Sequence, residues 1–491
     1  MNLSLNFTQN ILNILPTHCL GTNEANVSKL LYRCFYQLEN NQLQNDLVKK
    51  EIHSEDFTNW IITIESFSWS NGSSGSVNDV INTWKYIIKK NLNNASYLLD
   101  IKGAKEFQEG VTPDILGLEI IDTYTVSITF NNPFPYFKEI LLNLNLSPVK
   151  MLNLQTELRP YGLENFKNEE YLITNNHHFI KKWDEDELII ESDKKSRTSN
   201  RYKFTFCNDS ELVLKRIQTN DLHIHDGGLL PSDQIYESSI RYLKYYDFLS
   251  TYYLFLNMKR ENRMPLNLRR NLMRVIHQDN KFITDVDKVQ TQQLVPVSLR
   301  TWGNSHKDLE TYSTNQKYDG LSNPLIFICN DEISYINLAK KIIKLWEKEL
   351  GIVVELRVYG WDEFIYKLSK GEYDISRGGW VADFPHAYSF YEVMSSTSYS
   401  NYSNWHNEEF DNLLSLSGCT NDQNKLNNYF SKMDKLITEN VPIIPIYEHK
   451  LRQLISSGVS HFDISNTGII NYDGTHLNFK GGEIYEKDRS S

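Results

Sequence analysis

Apolar and polar residues alternate with a period of two along Met1-Asn-Leu-Ser-Leu-Asn-Phe7, Trp60-Ile-Ile-Thr-Ile-Glu65, Tyr124-Thr-Val-Ser-Ile-Thr-Phe130 and Glu187-Leu-Ile-Ile-Glu191, and turn residues bound these stretches. Successive side chains of a strand point to opposite faces, so this alternation predicts half-buried strands. A different rhythm runs from Pro324 to Trp361. A short apolar run, Leu325-Ile-Phe-Ile-Cys329, precedes Ile336, Ala339, Ile343, Trp346 and Leu350 at three- and four-residue spacing, then Gly351, then Ile352-Val-Val-Glu-Leu-Arg-Val358. This order predicts strand, amphipathic helix and strand, with Gly351 ending the helix in a left-handed conformation. Such a unit implies a parallel sheet. Ligands of open α/β sheets sit beyond the carboxyl ends of strands, which directs attention to the segments after Val358 and around Gly379.

Length changes the picture from one core to several. At 491 residues the chain exceeds the size at which a single core stops growing, so two or three lobes are expected. With 40% apolar and 12% aromatic residues it can fill large cores and aromatic-lined clefts, while no apolar run approaches the roughly 18 residues of a membrane helix. There is no internal repeat and no Pro- or Gly-rich linker, so ordered crossings are expected to join the lobes. The net charge of −11 comes without a basic stripe, which argues against a nucleic-acid partner. Five cysteines, Cys19, Cys34, Cys207, Cys329 and Cys419, are scattered and odd in number, which argues against a disulfide scaffold and reads as small buried hydrophobes. The first seven residues read as a strand rather than as a basic and apolar leader.

The candidate chemistry is sparse. In Asp221-Leu-His-Ile-His-Asp226 a strand would place His223 and His225 on one face, and with Asp226 they could serve a metal-dependent hydrolase, but no third and fourth ligand is evident. We expect no metal there, and no cofactor elsewhere. Gly72-Ser-Ser-Gly75 lacks the spacing of a nucleophile elbow, and neither a phosphate loop nor a dinucleotide fingerprint is present. What remains is Arg377-Gly-Gly-Trp-Val-Ala-Asp-Phe-Pro385 after a short strand, Tyr373-Asp-Ile-Ser376. Glycines in a turn there would allow close backbone approach to a ligand, Trp380 an apolar wall and Asp383 an anion.

That segment resembles the Gly-Trp-x-Ala-Asp stretch of the solute-binding proteins of ABC importers for oligopeptides, family 5. Further matches follow in order: Gly21 to Tyr32, Phe67-Ser-Trp-Ser-Asn-Gly72 with Val77 to Trp84, Asn94-Ala-Ser-Tyr-Leu98, Ile121 to Val126, Pro133-Phe-Pro-Tyr-Phe137, Leu146-Ser-Pro-Val149, Thr251 to Asn257, and Val441-Pro-Ile-Ile-Pro-Ile-Tyr447. Together they span about residues 3 to 478.

The resemblance implies an α/β, two-lobed periplasmic-binding-protein clamshell, type II-like and of cluster C, with an extra inserted domain. Lobe one would comprise residues 1–32, 161–249 and 451–480, the inserted domain 33–160, lobe two 250–450, and a tail 481–491. It further implies a non-catalytic monomer in the periplasm or on the outer face of the cytoplasmic membrane, with a leader, plain or lipoprotein, not seen in this sequence. Such a protein captures short peptides with a free N-terminus and passes them to ABC permease subunits. By matching position, Asp383 would meet the peptide ammonium and Arg377 its carboxylate. The backbone of Trp380 and Val381 would pair with the peptide main chain, Trp361 and Tyr97 would line the cleft, and Leu20, Gly21 and Thr22 would flank the ligand from the other lobe. Two positions depart from the family pattern: Tyr335 stands where a His can lie near the peptide C-terminus, and Asn175-Asn-His-His-Phe179 lacks the usual glycine. The same fold also serves murein peptides and metal complexes.

Overall fold

Two large mixed sheets and a smaller antiparallel one organise the computed structural model, which describes all residues except 12, 93, 116, 156–171, 193–199, 227–239, 280–281, 304–322 and 479–491. The expected tail and the start of the second segment of lobe one lie outside the described residues. The architecture is an α/β clamshell of two lobes. In the first, the strand Asn2–Phe7 lies at the centre of a seven-stranded sheet, parallel to Arg201–Phe206 on one side and to Ile224–His225 on the other. Its alternation is used as predicted, with Leu3 and Leu5 buried.

The second large sheet has six strands, in the order Lys288–Gln290, Ile443–His449, Ser250–Leu256, Ile375–Val381, Leu325–Asn330, Val354–Tyr359. The predicted strand–helix–strand unit is its edge: Leu325–Asn330 and Val354–Tyr359 pair in parallel across the helix Ile333–Leu350. That helix buries Ala339, Ile342, Trp346 and Leu350, and Gly351 ends it at φ 70°. Ile342, rather than the expected Ile343, centres the buried stripe. Trp346 donates to the Leu272 carbonyl at 2.9 Å, which satisfies its indole N–H inside the core.

The four-stranded sheet, with Asn59–Ile64 between Val48–His53 and Thr125–Thr129, carries the helix Val77–Lys90. Two motif segments meet here. Trp69 donates to Asp79 at 3.2 Å, the same carboxylate closes a capping box with Ser76, and Lys150 pairs with Asp79 at 3.2 Å. The Trp–Ser–Asn–Gly and Asp–Val segments therefore staple a helix start. Trp84 donates to the Leu146 carbonyl at 2.9 Å, tying the helix to the Leu146–Val149 motif.

One expectation is corrected. The strand expected to end at Ser376 runs through Ile375–Val381, and Gly378 and Gly379 are strand residues opposite Tyr253 and Tyr252, not a turn. Their role is close packing: a Cβ on Gly378 would meet the Phe255 ring at 2.5 Å, and one on Gly379 the Thr251 carbonyl at 3.2 Å. Among the described residues no helix is long and apolar enough to cross a membrane.

Candidate functional site

Between the lobes lies a cleft holding about 1640 Å³ of empty space, its open mouth included. The strand Ile375–Val381 supplies one wall. On one side it pairs with Ser250–Leu256 along its whole length. On the other, Leu325–Asn330 pairs with it only through Ile375 and Ser376. From Arg377 to Val381 the residues line the cleft along an edge that no strand covers among the described residues. Trp380 and Val381 lie here, and Trp361 stands at the start of the helix Trp361–Lys370 on the same side. Leu20, Gly21 and Thr22 face them from the other lobe, where Gly21 begins the helix Thr22–Leu31 and Leu20 is half exposed.

Asp383 follows the strand by two residues and reaches the cleft. Its backbone N–H donates to the Ser389 hydroxyl at 2.9 Å, and its Oδ2 accepts from the Tyr97 hydroxyl at 3.0 Å. Burial pushes its carboxyl up to about 7, the Tyr97 hydrogen bond opposes the shift, and the negative charge of Glu392 adds to it. Glu392 is itself buried, accepts from the Ser96 hydroxyl, and is likewise pushed up by burial. Among the described residues neither carboxylate forms an ion pair. Two acids under one cleft wall suit a positive ligand group.

Tyr97 does not line the cleft as expected. It is 2% exposed and acts from behind, through Asp383. Phe384, the next residue, is fully buried and meets Tyr97 edge-on at 6.0 Å, inside the core built on the first lobe and the four-stranded sheet. Tyr97→Phe should therefore leave the cleft surface unchanged while removing a donor from the carboxylate. The expected result is about a tenfold loss of affinity for amino-bearing ligands at neutral pH, measured by calorimetry.

Arg377 is held by packing. Its Nε donates to Asn330 Oδ1 at 2.7 Å, and its guanidinium lies 4.4 Å from the Tyr335 ring centre, 5.0 Å from Phe364 and 5.4 Å from Trp361. These contacts fix the plane of the group and leave its terminal nitrogens for a planar anion. The buried acid nearby in sequence, Asp374, is not its partner, because Arg263 at 3.1 Å and Arg260 at 3.4 Å hold that carboxylate. Tyr335 is placed differently from expectation. It lines a neighbouring cavity with Glu332 and Tyr447, and stacks between Arg377 and Tyr252.

The alternative metal cluster is otherwise engaged. His223 Nδ1 accepts from the Ser4 N–H at 2.9 Å, and Asp226 accepts from Thr8 and Asn23. Among the described residues no group of three or more His, Cys, Asp or Glu is arranged to hold a metal ion. In Asn175 to Phe179, Asn175 accepts from the Arg33 N–H at 2.9 Å, and none of the five residues lines the cleft. Sequence reasoning missed Glu392, Asn330, Phe364 and Lys29. Asn330 had a readable signal, since it ends a parallel strand at its carboxyl end.

Comparison with known proteins agrees with this geometry. The murein peptide-binding protein MppA of Escherichia coli is 23% identical over 94% of this chain and 90% of its own. Its solved structure superposes with a TM-score of 0.84 at 18% identity, over 97% of this chain and 98% of that one. Haemophilus influenzae OppA in complex with the peptide RPPGFSPFR superposes at 0.80 and 19% identity, over 94% and 95%. The family described as bacterial extracellular solute-binding proteins, family 5 Middle, matches residues 42–402. A cleft between lobes, lined by an uncovered strand edge, is thus found in a chain that belongs to the family 5 bacterial extracellular solute-binding proteins.

Proposed function

We propose that this protein captures short peptides with a free N-terminus between its lobes and delivers them to the permease of an ABC importer. The observation that carries the reading is Asp383, a carboxylate that reaches the cleft without an ion pair among the described residues, just past an uncovered strand edge. An extended peptide laid along Arg377 to Val381 would form main-chain hydrogen bonds, which are blind to side chains. Its ammonium would then meet Asp383, and a carboxylate within reach would meet Arg377 as a bidentate pair. The relatives MppA and OppA carry peptide-binding names, which supports the same cargo. Lobe one as residues 1–32, 161–249 and 451–480, an inserted domain 33–160 and lobe two 250–450 is the division that goes with it. A monomer in the periplasm or at the outer face of the cytoplasmic membrane is the matching form. Native mass spectrometry of the purified protein should find a mass excess that fragments as peptide, and that is lost after unfolding and refolding. A homogeneous non-peptide adduct would replace this reading.

A further inference from the structure

Three charged side chains line the cleft among the described residues: Asp383, Arg377 and Lys29. The third lies on the opposite wall. In the helix Thr22–Leu31 the residues Thr22, Ala25 and Lys29 recur at three- and four-residue spacing, and all three line the cleft. At 1.5 Å per residue, Lys29 lies roughly 10 Å along the helix from Thr22. The residue is partly buried and has no ion pair among the described residues. The acids nearest in sequence are already engaged, and Glu39, which accepts from the Gln37 amide at 2.9 Å, does not line the cleft. Glu24 accepts from the N–H groups of Asn13 and Leu20. Asp46 is held by Arg33 at 2.8 Å and by the Cys34 N–H. Burial pushes the Cys34 thiol up to about 12, and Lys29 is among the charges that oppose that shift, so its charge is felt on this wall.

A zwitterionic peptide with neutral side chains satisfies Asp383 with its ammonium and Arg377 with its carboxylate. Lys29 would then face the closed cleft without a counter-charge, which is costly away from water. Neither Glu332 nor Glu392 balances the excess at Lys29: Glu332 lies in the neighbouring cavity and is bonded to Ser334, and Glu392 sits behind the opposite wall, outside the cleft lining, bonded to Ser96 and pushed by burial toward its neutral form. We infer that the preferred cargo is an acidic peptide, one carrying a second carboxylate in a side chain or branch that Lys29 meets while Asp383 and Arg377 hold the termini. This rests on the peptide reading above.

The test is calorimetry at fixed ionic strength on the full chain with tri- and tetrapeptides in three series, all-Ala, one Glu and one Lys. The one-Glu series should contain a peptide that binds about ten- to hundredfold tighter than its all-Ala counterpart. In Lys29→Met that advantage should shrink to about twofold, because all-Ala peptides bind tighter once the unmatched ammonium is gone and the one-Glu peptide loses its partner, with the melting temperature unchanged, and Lys29→Glu should turn the preference toward the one-Lys series. Binding of the all-Ala peptides with no acidic advantage, or an advantage that survives Lys29→Met, overturns the inference alone. Absence of binding by every peptide to folded, unmodified protein overturns the peptide reading as well.

Discussion

Asp383→Asn is expected to lower affinity for peptides with a free N-terminus by about a hundred- to several-thousandfold while leaving the fold intact. An ammonium moved from water into a closed cleft needs a fixed anion, and leaving one member of a buried pair unpaired costs about 3–5 kcal/mol. Asn keeps the shape and can still accept from Tyr97, so packing against Phe384 is preserved. N-acetylated peptides should bind poorly even to the unmodified protein, because they bring no charge to the two acids beneath the wall. Calorimetry with matched free and acetylated peptides decides the matter. Equal affinities, or a change within a few-fold in Asp383→Asn, would mean that the ammonium is not the anchor.

The second large effect is on pH. In the empty cleft the Asp383 carboxyl is raised to about 7, mainly by burial, whereas a bound ammonium requires it ionised. Binding below pH 7 therefore expels a proton, and affinity should fall about tenfold for each pH unit below 7. About a fiftyfold difference between pH 7, where the carboxyl is half ionised, and pH 5 is the expected result. Above pH 7 affinity should level off, then decline as the peptide α-amino group loses its proton near pH 8. In Asp383→Asn the acid limb should vanish. For folding the sign is opposite to that of a salt-bridged acid, because the folded carboxyl lies above its unfolded value. The contribution of Asp383 to the stability of the empty closed form is fully present below pH 3.8 and is lost as pH rises through 7, by on the order of 4 kcal/mol. The Asp383 contribution is read as the difference between thermal melts of the unmodified protein and of Asp383→Asn: the unmodified protein should lose ground to the variant as pH rises through 7, and an added peptide should reverse that loss.

Much of the fold is legible because burial imposes a period on the sequence. Leu3 and Leu5 in the first strand, and Ala339 with Trp346 in the helix of the parallel unit, follow directly from one buried face. Asp383 is legible as an anion at a strand end. The Gly-Gly pair misleads because glycine favours turns in isolation, and only the Phe255 ring across the sheet shows why a strand needs it. Tyr97 and Tyr335 carry no local signal of depth, and an aromatic reads the same whether it lines a cleft or supports a residue that does. Lys29 is invisible for a related reason. A single lysine on a helix is usually a solvated one, and the opposing lobe that makes it a cleft residue comes from far along the chain.

Asp383 and Phe384 are neighbours in the chain, yet one faces the cleft and the other is seated in the core of the opposing body. Any motion that spreads the lobes must withdraw Phe384, and the same motion takes Tyr97 away from the carboxylate. If Asp383 holds the cargo's ammonium as proposed, grip and unloading share one mechanical linkage: a transporter that pries the lobes apart loosens the cargo at its charged end in the same movement, with no separate trigger.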